Sequence, residues 1–512
     1  MRFVVRAGLC LVLLLLLLAG GAESAGLSEH TEKILKQTRA QILGESPETK
    51  DDDLLLAVSG QQSSVYPVEK QRMLDAMSGP AAHDPAKARW GESIGKAGSV
   101  VIPLSLGEVA LNAVKWNLDG QMAKLLPALR ETDVMEAKGV FDWEAFSSAS
   151  YGLVNQPEPA SAYNGVPVSG DDTKQRSVEG RMGLRKKVTT GASIEVSTGL
   201  LHRDDFSTDK EYVPNPAFIS DAVLTVTQPL LRNAGPTVNR FRIAFAENTR
   251  ERDRFKMEQT LSQVALEAEK AYWELDLAVY RLLVSQELLA RTDETLRTLE
   301  ARRTIDVKPV QMAQAKSFQQ SRMEELMRAQ TDARNAGDRL KELVNSSRLS
   351  LFDESIPVPA NRPEVVAEPL TLRSALESAF HKNAELKQAV MELDNAQLEW
   401  EANRIQLRPQ LDLKLEGRIS GMGSKFNSSY DDMGNHLEGK VMLELTVPLE
   451  NRTARSAFDR SKLTRNDREF NLLKVARSVT RNVKESLRKV QLAYGLTRIT
   501  REARLAAAEN LR

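Results

Sequence analysis

The sequence predicts a mainly α protein with β-strands, built as an internal repeat around very long coiled-coil helices. Three observations predict this class. An ordered series of short matches occurs twice along the 512 residues, as Pro103-Leu-Ser-Leu-Gly-Glu-Val-Ala-Leu-Asn-Ala113 and again as Pro369-Leu-Thr-Leu-Arg-Ser-Ala-Leu-Glu-Ser-Ala379, an offset of 266. The stretch Pro236 to Leu299 runs for 64 residues without an internal Pro or Gly. Where the helical pattern stops, apolar and polar residues alternate strictly, as they do in a sheet with two unlike faces.

In chain order, residues 1–22 read as a secretory signal peptide. Arg2 and Arg6 supply the positive start, Leu9 to Leu18 the apolar run, and Ala19-Gly20-Gly21-Ala22 the small residues of a cleavage site. The run is short for a spanning helix. The only cysteine, Cys10, lies inside it and follows Leu9, which does not suit lipidation, so a chain cut after Ala22 has no thiol. Residues 23–101 form an N-terminal extension, expected to be partly disordered, with a short amphipathic helix from Ser28 to Leu43 followed by polar linker.

The first helix–strand–helix repeat occupies residues 102–350. Asn117 matches Asn383 at the same offset of 266, and Phe141-Asp-Trp matches Leu407-Arg-Pro where the leading helices end. Four strand-like segments lie near Phe141, Val178, Ala192 and Ala222; Ala192, Ile194, Val196, Thr198 and Leu200 alternate with Ser193, Glu195, Ser197 and Gly199. After Pro229, Val264, Ala268, Ala271, Leu275, Ala278 and Leu282 recur at spacings of three and four, and Leu326, Ala329, Ala333, Ala336, Leu340 and Leu343 repeat the pattern on a returning helix opened by Pro309 and running to about Ser347. A sustained period of 3.5 asks for a supercoiled partner, and alanines at the seam let helix axes approach closely.

A Pro-rich equatorial linker, 351–369, carries Pro357, Pro359, Pro363 and Pro369. The second repeat, 370–512, opens with a predicted helix from Leu370 to about Leu407. It then offers two strands, Leu411, Leu413 and Leu415 alternating with Gln410, Asp412, Lys414 and Glu416, and Leu437 to Val447 alternating with Glu438, Lys440, Met442, Glu444 and Thr446. Two half-length helices stacked end to end would match one long helix. In a soluble protein the apolar strand face covers a core; in an outer membrane it faces lipid while the polar face lines water. Alternation alone leaves both settings open. If the strand is membrane-embedded, Leu443 and Leu445 face lipid and Glu444 the lumen.

Composition excludes several functions. Seventy Lys+Arg balance seventy Asp+Glu, so bulk positive charge for nucleic acid is absent. Gly91-Glu-Ser-Ile-Gly95-Lys96-Ala97 is one residue too short for a phosphate-binding loop and has Ala where a hydroxyl is needed. His30, His83, His202, His381 and His436 are scattered, and Asp51-Asp52-Asp53 reads as a solvated loop. No catalytic residues, cofactor or metal ligands are expected, and the chain does not read as an enzyme.

The repeated order, together with Gln228-Pro229-Leu230-Leu231-Arg232, Ala271-Tyr272-Trp273-Glu274-Leu275 and Arg408-Pro409-Gln410-Leu411, resembles the TolC-type outer membrane factor family over about Pro103 to Arg512. That resemblance implies a homotrimer in the bacterial outer membrane, each protomer giving transmembrane strands to one shared β-barrel and helices to a periplasmic α-barrel. It implies, as partners, outer membrane lipid, a periplasmic adaptor protein and an inner-membrane pump of the RND or ABC type, with no nucleic acid. The implied role is passive export in a tripartite efflux or type I secretion system; the alternative is a periplasmic coiled-coil adaptor or envelope scaffold. Pro229 and Pro448 would mark the strand-to-helix turns. Arg303, Thr304, Asp306 and Val307 are candidates for the periplasmic tip or adaptor contact, in a turn without the glycine usual in the family.

The repeat also predicts something missing. An offset of 215 carries Phe255 onto Phe470 and Glu294-Thr-Leu-Arg297 onto Glu509-Asn-Leu-Arg512, after which the first repeat continues into its returning helix. The second repeat therefore reads as C-terminally truncated, its seam residues Leu505 and Leu511 left exposed.

Overall fold

The computed structural model describes residues 28–44, 66–78, 101–157, 161–163, 166–168, 173–206, 213–302, 307–352, 355–361, 363 and 371–510. The expected signal peptide, Cys10, Arg303, Thr304, Asp306 and Leu511 lie outside the described residues. The chain divides into two compact units, one comprising Met1–Ile34, Arg130–Arg250 and Met391–Phe470, the other Leu35–Leu129, Glu251–Val390 and Asn471–Arg512.

The N-terminal extension supplies α1 (Glu29–Gly44), as expected, and a second helix that the sequence reading missed, α2 (Val68–Ser78). A short strand β1 (Val101–Leu104) leads into α3 (Leu106–Trp116) and α4 (Leu118–Gly139). The chain then forms β2 (Trp143–Gln156), the small hairpin β3 (Ser161–Tyr163) and β4 (Val166–Val168), β5 (Thr173–Lys187), β6 (Ser193–Asp205) and β7 (Ala217–Pro229). One turn of helix, α5 (Pro236–Asn239), precedes α6 (Phe241–Ala301), whose 61 residues extend about 92 Å at 1.5 Å per residue. The returning helix is α7 (Pro309–Val344), opened by its proline as expected. In the linker lies β8 (Ile356–Pro359). The second repeat follows as α8 (Leu372–Lys382), α9 (Ala384–Gln406), β9 (Gln410–Gly423), a short α10 (Phe426–Asp431), β10 (His436–Thr446) and α11 (Arg452–Asn510).

The coiled-coil seam is where the heptads put it. Val264, Ala268, Ala271, Leu275, Ala278 and Leu282 of α6 are buried in one cluster with Ala329, Ala333 and Leu340 of α7, and Leu326, Ala336 and Leu343 pack on its margin. Ile102, Leu104, Val109 and Ala113 close the same cluster. Its largest buried side chain is Tyr272, whose hydroxyl donates to the Leu104 carbonyl at 3.1 Å and accepts from the Asn361 amide at 3.0 Å. Burial pushes the Tyr272 phenol up from its ordinary value, so it stays a neutral donor. β1 and β8 pair in parallel, Val101 with Ile356 through Leu104 with Pro359. This pairing too was missed; Pro357 and Pro359 are tolerated because each strand is an edge.

One expectation fails here. The predicted helix from Leu370 to about Leu407 is two helices, broken at Asn383, and the first repeat breaks at its match, Asn117, between α3 and α4. Each asparagine leaves helical geometry (ψ 137 at Asn117, ψ 119 at Asn383) and its side-chain oxygen caps the next helix. Asn117 Oδ1 accepts from the Asp119 and Gly120 amides at 2.9 and 3.2 Å, and Asn383 Oδ1 accepts from the Leu386 amide at 2.9 Å. Asparagine competes with the helix by bonding its own backbone, and that preference wins over an otherwise uninterrupted pattern.

A second correction concerns the end of α11. Leu505 is not exposed: it is fully buried against Leu74 of α2 and Ala508, with Tyr66 packed alongside. Lys70 pairs with Glu509, and Asp75 pairs with both Arg504 and Arg501, the latter at 3.2 Å. Because Lys70 meets Glu509 while Asp75 meets Arg501, α2 runs antiparallel to α11, as α7 does to α6. At the other unit's end of α1, the Ser28 amide donates to Asp394 at 2.8 Å and His30 Nε2 lies 2.7 Å from Glu469.

Candidate transmembrane sheet

Six strands form one antiparallel sheet in the order β10-β9-β7-β6-β5-β2. Four come from the first repeat and two from the second, the count that the alternation predicts. Two-residue side-chain period means that register decides which residues share a face. Across all six strands the central rows of one face hold apolar or small, uncharged residues. One row reads Ala145, Leu184, Val196, Leu224, Gly417, Gly439, and the next Ser147, Met182, Thr198, Ala222, Ile419, Leu437. Leu443 and Leu445 sit on this face, opposite Leu413 and Leu411, whereas Glu444 sits on the other, opposite Asp412.

On β5 the apolar face is bounded by charge. Its residues there are Val178, Gly180, Met182 and Leu184, with Arg176 and Lys174 beyond one end and Lys186 beyond the other. Arg176 to Lys186 covers about 34 Å of strand at ~3.4 Å per residue, or about 26 Å of height at a tilt of ~40°. That matches the ~25 Å apolar band of outer-membrane barrels. Aromatic residues mark both limits: the Lys186 ammonium lies 5.2 Å from the Trp143 ring at one, and Tyr151 and the His202–Phe218 edge contact lie at the other. From β10 to β2 the apolar stretch slides along the rows by about four residues, the stagger that tilted strands require.

The opposite face is charged and internally paired. Arg185 forms a two-pronged ion pair with Glu144 directly across β2, at 2.5 and 2.8 Å, and Lys414 reaches Glu444 at 2.6 Å. At its centre Asp221 on β7 accepts from Arg181 on β5 at 3.0 Å and from Arg418 on β9 at 2.9 Å. Arg181 spans an intervening strand to do so. Residue 199 lies between them in the row, and a Cβ there would meet Asp221 Oδ1 at 2.5 Å and Arg181 Nη2 at 3.0 Å, so only glycine leaves the path open. Nothing in the sequence pattern around Gly199 announces this triad, because its members are brought together by register over three strands.

The ends of the sheet are built differently. Hairpin β5–β6 turns through Gly191, whose φ of 93° favours glycine. Pro229 is the last residue of β7, and Pro448 lies between β10 and α11; each is followed by an asparagine in the left-handed region, Asn233 (φ 61°) and Asn451 (φ 48°). At the other end α10 lies against β9, where a Cβ on Gly421 would meet the Ser429 carbonyl at 2.2 Å. Ser220 of β7 donates to that carbonyl at 2.8 Å. Asp432 accepts from the Asn435 side chain at 2.9 Å and the Met422 amide at 3.2 Å, which hold its carboxyl below the usual range.

Of the tip candidates, only Val307 is described; it is half-buried, two residues before α7. Among the described residues no helix is long and apolar enough to cross a membrane, and no group of three His, Cys, Asp or Glu is placed to hold a metal. Helix α4 carries a separate feature: Leu118, Met122, Leu125 and Leu129, at spacings of four, three and four, are each more than half exposed.

Comparison with known proteins agrees with the geometry. Solved structures of outer membrane channels share the fold. The CmeC outer membrane channel of Campylobacter jejuni is 13% identical, with 91% of this chain and 87% of that chain covered at a TM-score of 0.50. The open state of the MtrE outer membrane channel of Neisseria gonorrhoeae is 15% identical over 79% of this chain and 84% of that chain, TM-score 0.50. A membrane protein from Pseudomonas aeruginosa is 14% identical over 75% and 76%, TM-score 0.50. No protein-family model matches the chain, and no curated protein matches it in sequence. The chain thus has the TolC-type outer membrane factor fold that its repeat predicts.

Proposed function

We propose that this chain is one protomer of a homotrimeric outer membrane channel, a passive export conduit in a tripartite efflux or type I secretion system. The observation that carries the reading is the sheet: one face apolar in register over six strands for about the thickness of a membrane, the other face charged, and both edges open. Lipid offers no partners for an open edge, so a sheet that enters a bilayer must close. The exposed stripe Leu118, Met122, Leu125, Leu129 on α4 has the spacing of a coiled-coil seam and supports a second contact between copies. Transport of this kind needs no nucleophile or cofactor. It needs a closed wall, a polar bore and a gate, with energy from an inner-membrane pump of the RND or ABC type reached through a periplasmic adaptor. In this reading the sheet lies in the outer membrane and the helices in the periplasm. Arg303, Thr304, Asp306 and Val307 would form the periplasmic tip, and Pro229 and Pro448 the turns where the sheet hands over to helix.

Fractionation and paired substitutions test it. The protein is expected in the outer membrane as a detergent-resistant trimer that conducts in planar bilayers. Leu443→Arg places charge on the apolar face at a cost of ~2–4 kcal/mol near the midplane and should abolish trimer recovery, while Glu444→Arg, on the polar face, should leave it nearly intact. A soluble periplasmic monomer, or equal tolerance of both changes, would overturn the reading.

A further inference from the structure

Both ends of the sheet are unprotected strands. β10 is exposed along all 11 of its residues, and β2 runs for 14 residues without a proline. Natural sheets blunt such edges or pair them. Every neighbouring pair in the sheet is antiparallel, and six is even, so β2 and β10 run in opposite directions. A copy of β2 set beside β10 therefore continues the antiparallel pattern without a break. Six strands are too few to close around even a side-chain-filled interior, which takes about eight.

The hairpin of β2 and β5 is part of this wall, not an appendage. β5 is paired with β6 over the whole of residues 175–187, and Gly180, Met182 and Leu184 of its apolar face lie in the same rows as Leu200, Thr198 and Val196 of β6. Arg181 fastens it to β7 through Asp221, across the gap at Gly199. On its polar side the Glu144–Arg185 pair faces the same way as the charges of β9 and β10. We infer that β10 of each copy pairs with β2 of the next, so that three copies close an eighteen-stranded barrel whose subunit seams are β2–β10. This rests on the trimeric reading above. With strands ~4.8 Å apart and tilted ~40°, the backbone diameter is about 36 Å, against about 24 Å for a twelve-stranded barrel that left the hairpin out. Barrels of sixteen to eighteen strands leave an aqueous channel.

Cysteine cross-linking of the full chain in outer membranes, in a Cys10→Ser background, distinguishes the arrangements. Single cysteines at Ser147, Ala149 or Tyr151 on β2 are combined with Gly439, Val441 or Leu443 on β10, and as the competing seam Val196, Thr198 or Leu200 on β6 with the same β10 positions. Oxidation should give covalent dimers and trimers for β2–β10 combinations of one register and at least tenfold less for every β6–β10 combination. Ladders from β6–β10 instead would overturn the eighteen-stranded barrel and leave the trimeric channel standing. Absence of any ladder together with absence of trimers would remove the channel reading itself. Removing the hairpin by joining Asp142 to Val188 gives a second readout. Loss of trimers at least tenfold is expected; full recovery of conducting trimers would exclude β2 as a seam strand.

Discussion

The two repeats share a skeleton and differ in what is packed against each long helix. In the first, α6 is covered by α7, 36 residues that follow it directly in the chain. In the second, the far end of α11 is covered by α2, 11 residues supplied from the N-terminal extension more than four hundred positions away. The offset of 215 makes the contrast residue by residue. Val264 and Val479 are both buried, but Leu275 is fully buried where Val490 is 50% exposed. Further along, Asp293 accepts from Gln319 of α7 at 2.8 Å, and its match, Ala508, is buried beside Leu74 of α2. Matching positions of the two long helices are thus covered by stretches of chain that have no relation to one another in the repeat.

That contrast breaks most sharply in the seams. Leu275→Ala opens a cavity in a cluster that spans two long helices and two strands, and should cost about 3–5 kcal/mol in denaturation followed by the helical signal. Leu505→Ala, in a cluster of three buried residues that can collapse, should fall at the low end, about 2 kcal/mol. Equal losses would mean that the short partner holds its helix as firmly as the long one.

The helix breaks sharpen the comparison at intermediate cost. Asn383→Ala removes a cap worth ~1 kcal/mol. Asn117→Ala should cost more, about 2 kcal/mol, because its side-chain amide also donates to the Leu343 carbonyl at the end of α7. Asn345 returns the contact by donating to the Trp116 carbonyl at 3.1 Å, so two helix ends cap each other in the first repeat. Thermal midpoints of the two variants give the order.

Smaller still is the effect of charge at the second seam. Asp75→Arg faces Arg501 and Arg504 and should weaken α2 docking by about 1 kcal/mol or less, as exposed pairs do. Protection of α2 amides from hydrogen exchange should fall, and Arg504→Glu in the same chain should restore it; no change in either variant would leave Leu74 alone responsible.

The smallest difference is one of pH. Matching capping boxes open α3 and α8, Ser105 with Glu108 and Thr371 with Ser374. Bonds from the Ser105 amide and hydroxyl hold the Glu108 carboxyl below its ordinary value. A lowered carboxyl contributes above the unfolded value and loses its contribution as pH falls through the folded one. Acidification below about pH 4 should therefore lower the protection of the Ser105 amide, its exchange rate relative to the intrinsic rate at that pH, and leave that of Thr371, whose cap has no ionisable partner, unchanged.

Much of this was legible. Seam residues Val264 to Leu282 follow from a local period, the six strands from alternation, and the fold from an ordered repeat, all of them patterns written within a few residues. The match of Asn117 with Asn383 was visible, yet its meaning was not, since an asparagine inside a long helical pattern reads equally well as tolerated surface. Leu505 was misjudged because its cover, Leu74, lies in a polar stretch with no relation to the repeat. The Arg181–Asp221–Arg418 triad and the β1–β8 pair were invisible for the same reason: each depends on register or contact between segments whose local sequence is silent about the other.

The parallel pairing of β1 with β8 also constrains the order of events during folding. It joins Val101 to Ile356 and is reinforced by the Ala360 amide donating to the Leu104 carbonyl and by contacts such as Leu106 with Asn361, 255 residues apart. Bringing such distant ends together costs about 3–4 kcal/mol more loop entropy than closing a turn of about five residues, as at 188–192. A four-residue strand pair cannot meet that cost by itself. Its ends become neighbours only once α6 and α7 have zipped and carried Leu349 and Val358 back to the cluster that holds Leu104. The linker thus finds its place after α6 and α7, a latch that engages once the coil behind it has formed.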